Sequence, residues 1–345
     1  MKDAIKDFLP EEYKDARVDV RENTKLNETY TALTVRREDQ VVAPAINLNQ
    51  MYEQFDENDP ASLQNLLETA AHMIQMEAPG VDINALSNYE QAKEHLFIRV
   101  SSVETNKAML ANAPHKLYED LAVTYHIAVD IGREGVASTM VTNEMLQNFG
   151  ISQEQLHEDA VVNSEKIFPA RVESMGAVMR RMMGEDLKAS GMSQEDIDMM
   201  MDSMGIADSN PMTVVSNEQS VNGAAVLFYK GQMDQIGEKL EGDFFVLPSS
   251  VHEMLVVPDT GEFQHEELKA MVTEINETQV APSDRLTDEV YHYDTKDRVF
   301  EKAADFDQRQ KTKEKAAAKE AGHSDPAKSA EHGSKPKHKR NDMSL

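Results

Sequence analysis

The chain has no cysteine in its 345 residues. That excludes a disulfide framework, a thiolate nucleophile and cysteine-ligated zinc. No stretch approaches the ~20 apolar residues of a membrane span. Met1 to Asp15 is charged throughout and lacks the apolar core of a signal peptide. A soluble, cytoplasmic protein is expected. Glycine-rich phosphate loops are missing too: there is neither GxGxxG nor GxxxxGK followed by Ser or Thr. No cofactor is expected.

Basic charge is scarce. Lys and Arg number 35 against 62 Asp and Glu, a net of −27. Residues 301–345 hold 11 basic and 8 acidic residues, so the acidic excess falls on the rest, at −30. Such a body repels a phosphate backbone, which binds through Lys and Arg. Nucleic acid is therefore not expected as its partner. Solubility and mutual repulsion account for the charge.

What is present is clearest from Gly223 to Tyr293. Ala224 to Tyr229 (AAVLFY) follows Asn222-Gly223 and reads as a buried strand. Gln232 to Leu240 places Met233, Ile236, Gly237 and Leu240 at helical spacing, with Gly242 as the stop. Phe244 to Leu247 is a second apolar run, expected to end at Pro248. Met254 to Val257 is a third, closed by the turn Pro258-Asp259-Thr260-Gly261. Glu266 to Ile275 is helical in spacing, and Val290 to Tyr293 reads as a last strand. The order β-α-β-β-α-β argues an α+β fold, mixed or antiparallel sheets with helices packed on the faces.

Pro248-Ser249-Ser250-Val251-His252-Glu253 lies between two of these runs. Asn276-Glu277-Thr278-Gln279-Val280-Ala281-Pro282 and Val290-Tyr291-His292-Tyr293-Asp294 follow. In these motifs the chain resembles an uncharacterised family, a domain of unknown function, from Gram-positive anaerobic bacteria. The similarity covers most of residues 1 to 300. It implies a bacterial protein, found in gut species and in part on mobile elements. It brings no catalytic residue, ligand or partner.

Earlier in the chain, Asp3 to Asp19 predicts an amphipathic helix broken at Pro10. Tyr30 to Val35 and Val41 to Leu48 predict a hairpin. Asn49 is placed to cap a short helix, and Asp59-Pro60 to open a longer one through Leu66, Leu67, Ala70 and Ile74. Pro79-Gly80 is a break. Leu96 to Val100, Leu121 to Ile131 and Val136 to Val141 read as strands. Thr142 or Asn143 caps Glu144 to Phe149, and Ser152 with Gln155 forms a capping box for the helix towards Pro169. Tyr118–Phe149 and Gly242–Ile275 share the order strand, strand, helix, which raises an internal duplication.

Ten of the 21 methionines fall between Met175 and Met212, in a predicted helical hairpin. Its flexible thioethers suit gap-filling first and an adaptable contact surface second. Copper is disfavoured, because the run has neither Cys nor His. From Ala303 the apolar periodicity is lost. Gln308 to Ala321 predicts a transient helix, and the tail from Gly322, with its basic cluster Lys335 to Arg340, predicts disorder. The division expected is an N-terminal α+β domain (1–169), the Met-rich insertion (170–212), a C-terminal α+β domain (213–300) and a charged tail (301–345).

The candidate motif is Pro248, Ser249, Ser250, His252 and Glu253. A helical HExxH zinc site fails, because position 256 is Val and the segment reads as a strand. No metal is expected. A nucleophile elbow fails for lack of its two glycines. The preferred account is structural, with the hydroxyls satisfying backbone groups at a strand end. The function expected is a non-enzymatic binding or regulatory protein with a protein partner. The alternative is a hydrolase-like enzyme using Ser249, Ser250, His252 and Glu253.

Overall fold

The computed structural model describes residues 1–38, 40, 43–76, 88–132, 135–204 and 211–321. The break at Pro79-Gly80, residues Val41 and Val42 of the hairpin, the tail from Gly322 and its basic cluster lie outside the described residues. The chain divides into two compact units, Met1–Ala303 and Ala304–Leu345. Among the described residues of the first, three antiparallel sheets make up the strand content, as an α+β fold.

The first sheet is N-terminal. Strands β1 (Arg17–Lys25) and β2 (Glu28–Arg36) pair from Arg17↔Arg36 to Lys25↔Glu28, and β3 (Ala45–Asn47) adds to β2. Asn47, not Asn49, caps helix α1 (Leu48–Glu53) by accepting from the Asn49 and Gln50 amides. Helix α2 (Ser62–Gln75) lays Leu66, Leu67, Ala70, Ala71 and Ile74 on Leu33, Val35 and Ile46, an apolar core drawn from residues 5 to 74. The helix predicted over Asp3 to Asp19 is not there. Two 3-10 turns, Ile5–Phe8 and Glu11–Tyr13, flank Pro10, whose ring cannot continue a helix, and β1 then begins.

The second sheet is central. After the short α3 (Tyr89–Ala92) come β4 (Leu96–Ser102), the short α4 (Lys107–Leu110), β5 (His115–Tyr118), β6 (Leu121–Gly132) and β7 (Gly135–Met140). The long β6 takes β4 on one edge, while β5 and β7 share the other. Thr142 caps α5 (Asn143–Phe149), and Ser152 caps α6 (Gln153–Ile167) by accepting from the Gln155 amide.

The third sheet has the order β13-β12-β10-β11-β9-β8. Strand β8 (Ala170–Ser174) leads into the predicted Met-rich hairpin, α7 (Met175–Ala189) and α8 (Gln194–Ser203), and β9 (Thr213–Asn217) follows it. Strands β8 and β9, missed in the sequence, pair with each other, so the hairpin is an excursion between neighbouring strands. Helix α9 (Gln232–Leu240) precedes the hairpin of β10 (Phe244–Ser250) and β11 (Glu253–Pro258). Helix α10 (His265–Thr278) covers one face, with Leu268 and Val272 on Phe245, Leu247 and Val257. Strands β12 (Tyr291–Asp294) and β13 (Val299–Lys302) close the sheet; β13 is a further strand without a clear sequence signal.

Between the second and third sheets lies one shared core. Ile98, Val100, Val123, Tyr125 and Ile127 face Val215, Phe244, Val246, Met254 and Tyr291 across it. Its centre is Gly223–Phe228, every residue buried. This is the segment predicted as a strand, and it is a 3-10 helix. A short run apolar on all sides has no period, so periodicity cannot separate a buried strand from a buried helical turn.

Two polar clasps hold parts of the first unit together. Asn27, at the β1–β2 turn with φ of +57°, donates to the carbonyls of Ser283 and Arg285 at 2.9 and 2.7 Å. Its side-chain oxygen accepts from Thr105 and Asn106. Asp120, in the β5–β6 turn, accepts from the Tyr291 hydroxyl at 2.7 Å and the Thr287 hydroxyl at 2.9 Å. In the second unit, the helical stretch of α11 (Ala303–Ala321) places the Arg309 guanidinium 5.5 Å over the Phe306 ring.

Candidate functional site

A cleft of about 920 Å³ opens among the described residues. One wall is α6, with His157, Glu158, Asp159, Val161 and Val162; His157 with Val161, and Glu158 with Val162, recur one turn apart. The 3-10 segment and the loop after it give the floor, through Phe228 and Tyr229, and a rim, through Lys230. Gly231 lets the chain leave that loop, at φ of +73°, in a region that side chains with a Cβ enter at a cost. The β12–β13 hairpin gives the opposite wall, with Tyr293, Arg298 and Phe300.

The floor is aromatic. Tyr118 and Phe228 lie 4.5 Å apart between ring centroids, and Phe300 meets Phe228 edge-on at 5.8 Å. Phe300 also stacks on Tyr291 at 4.9 Å. The rim is charged and of both signs. Asp234 accepts from the Tyr293 hydroxyl at 2.6 Å and pairs with Arg298 at 3.4 Å. Asp159 is held by the Tyr89 hydroxyl and by Gln155. Burial, then the Asp234 carboxylate, raises the Tyr293 phenol above its ordinary value. Val162, Lys230 and Arg298 are exposed at the mouth.

His157 is the titratable group most altered there. Its Nδ1 is 3.2 Å from the Tyr125 hydroxyl, and its Nε2 is 3.4 Å from the Lys116 ammonium. An ammonium only donates, so Nε2 accepts and the Nδ1 proton points to the Tyr125 oxygen. Burial, then the Lys116 charge, lowers its pKa from 6.5 to about 4. Between those values the unfolded chain takes up a proton that the folded chain refuses. Stability should therefore fall as the pH drops from 6.5 to about 4, and His157→Gln should flatten that limb. The loss is modest because the ring is half-buried. Equal urea midpoints for parent and variant at each pH across that range would refute this.

The sequence motif lies elsewhere, at the β10–β11 turn, and none of its five residues lines the cleft. The strand does not end at Pro248; it runs on to Ser250. The β12 ladder covers only Phe244–Val246, so on that edge Pro248 has no ladder to interrupt. The Ser250 hydroxyl accepts from the His252 amide at 3.1 Å, and Ser249 donates to Glu253 at 3.2 Å. His252 sits in the turn, with β11 starting at Glu253. Its ring Nδ1 accepts from the Asn222 amide at 3.2 Å, and its carbonyl accepts from Ser216 at 2.7 Å. The motif thus meets the start of the 3-10 segment. The cleft residues had no sequence signal of their own, because they come from four separated stretches. Among the described residues no cluster of His, Asp or Glu is arranged to hold a metal ion. No helix there is long and apolar enough to cross a membrane.

Residues 1–295 match the model of a family described as a family of unknown function (DUF5688). No curated protein and no solved structure matches the chain.

Proposed function

As the chain belongs to that family of unknown function, we propose its role from the cleft: a cytoplasmic binding protein, acting without catalysis, that holds a segment of a partner protein. The observation that carries this is the aromatic floor beneath a rim that carries charges of both signs. A volume of about 920 Å³ suits a few side chains of a peptide, within the roughly 300–1,000 Å³ of ligand sites. Tyr118, Phe228 and Phe300 offer apolar area at small entropic cost. Glu158 and Asp159, together with Lys230 and Arg298, suit a ligand carrying both charges.

A photoreactive residue at Val162, used in the native host, should crosslink one discrete protein. Arg298→Glu and Phe300→Ala should each cut that yield several-fold. The same probe at Leu63, exposed on α2, is the control. Identical adducts at both positions, or a yield that neither variant changes, would reject the reading. The second reading, a hydrolase-like enzyme, draws on the Ser249 hydroxyl beside the Glu253 carboxylate. Turnover of an esterase or peptidase substrate by the parent, lost in Ser249→Ala, would put the enzyme first.

A further inference from the structure

The central sheet has a second face. Side chains alternate along a strand, so Phe97, Arg99 and Ser101 of β4 point away from the core that Ile98 and Val100 enter. Register sets Thr124 beside Arg99, His115 beside Thr124, and His126 beside Phe97. Apolar groups bracket this row, with Phe97, Ala128 and Phe168 in one cluster and Met109, Leu110 and Ala122 in another. Lys116 and Tyr118, near and in the cleft, alternate to the opposite face of β5.

Ser101, Thr124 and His126 are buried while Arg99 and His115 are partly buried, and the row is incompletely satisfied. Ser101 and Thr124 are 0% exposed and His126 is 8% exposed. The Thr124 hydroxyl lies 3.1 Å from His126 Nε2. Arg99 Nε and Ser101 Oγ are buried without a hydrogen-bond partner among the described residues. No carboxylate pairs with Arg99 among those residues, although the chain carries 62 acidic side chains. Burial lowers the Arg99 pKa, yet a guanidinium keeps its proton at any pH the fold survives. Burial, then the Arg99 charge, holds His126 well below 6.5, so its ring is neutral.

Arg99 as a whole is only partly buried, but its Nε is sealed without a partner, and a buried donor left unsatisfied is costly. We propose that this row is an anion site: Arg99, with Ser101, Thr124, His126 and His115 around it, binds a small oxyanion, the carboxylate or phosphate group of a ligand. The planar guanidinium fork donates to two oxygens side by side. The Ser101 hydroxyl, otherwise idle, donates to a third position. A cation would meet Arg99 at close range, and an apolar ligand would leave both Nε and Oγ without partners.

The test uses the full-length protein in buffer free of phosphate and carboxylate. Inorganic phosphate and malonate are titrated separately, each against sodium chloride at matched ionic strength, by thermal shift and calorimetry. One of the two should raise the melting temperature beyond the chloride control, with saturable binding. Arg99→Met should weaken that binding at least tenfold while melting at or above the parent temperature without anion, because it removes the unpaired charge. Ser101→Ala should weaken binding several-fold and serves if Arg99→Met fails to fold. Response to phosphate alone names a phosphoryl ligand, and response to malonate alone names a carboxylate; either supports the site. No response beyond chloride, or binding unchanged in the variants, overturns it.

Discussion

Gly223→Ala should be the most damaging single-methyl change in the chain. A Cβ at position 223 would overlap Ser216 Oγ and stand 2.5 Å from the His252 carbonyl oxygen and 2.8 Å from the Asn217 nitrogen. Two of these are backbone atoms, one in β9 and one in the β10–β11 turn, so no rotamer relieves the contact. Either the 3-10 segment moves or the two sheets around it part. Overpacking of this kind costs about 3 kcal/mol, and a melting temperature lower by on the order of 10 °C. Gly242→Ala is the control, since a Cβ there meets nothing within 4 Å. If Gly223→Ala melts within a degree of Gly242→Ala, the packing described around the segment is wrong.

Asp120→Ala should come next. Its carboxylate accepts from Tyr291, whose side chain is fully buried, and from Thr287, with Lys302 at 3.5 Å. Truncation strands the Tyr291 hydroxyl in the core and releases the ammonium from its nearest acid. Lost hydrogen bonds to a charged group cost about 1.5–3 kcal/mol each at most, and the partial exposure of Asp120 brings the total to about 3 kcal/mol. Tyr291→Phe removes the donor together with its need, so it should cost about 1 kcal/mol. Urea unfolding of the two single variants and the double variant gives the coupling directly. A double variant no less stable than Asp120→Ala supports the pairing; costs that simply add refute it. Tyr291 also carries Phe300, so Asp120→Ala should loosen the cleft floor as well.

Much of the fold was legible because most elements announce themselves through period and caps. Leu121–Ile131, the α6 cap at Ser152 and the paired runs around Pro248 all do so. The central 3-10 segment was not, because AAVLFY is apolar in every direction. Strands β8 and β13 carry few apolar residues, and β9 follows the methionine stretch directly. Their identity rests on the partners they find rather than on local pattern. The cleft was illegible for a related reason: Tyr118, His157, Phe228 and Phe300 become neighbours only after the sheets close. The conspicuous local motif instead marks a turn that fastens the start of the 3-10 segment through His252.

The Asn27 clasp also sets an order in time. Its partners Ser283 and Arg285 lie 256 and 258 residues further along the chain. At a synthesis rate of ~5–20 residues per second, that interval lasts on the order of 10 to 50 s. The core of residues 5 to 74 closes on itself and needs nothing made later. On the ribosome the N-terminal hairpin is therefore built early, can meet Thr105 and Asn106 soon after, and completes its clasp only when the stretch before β12 emerges.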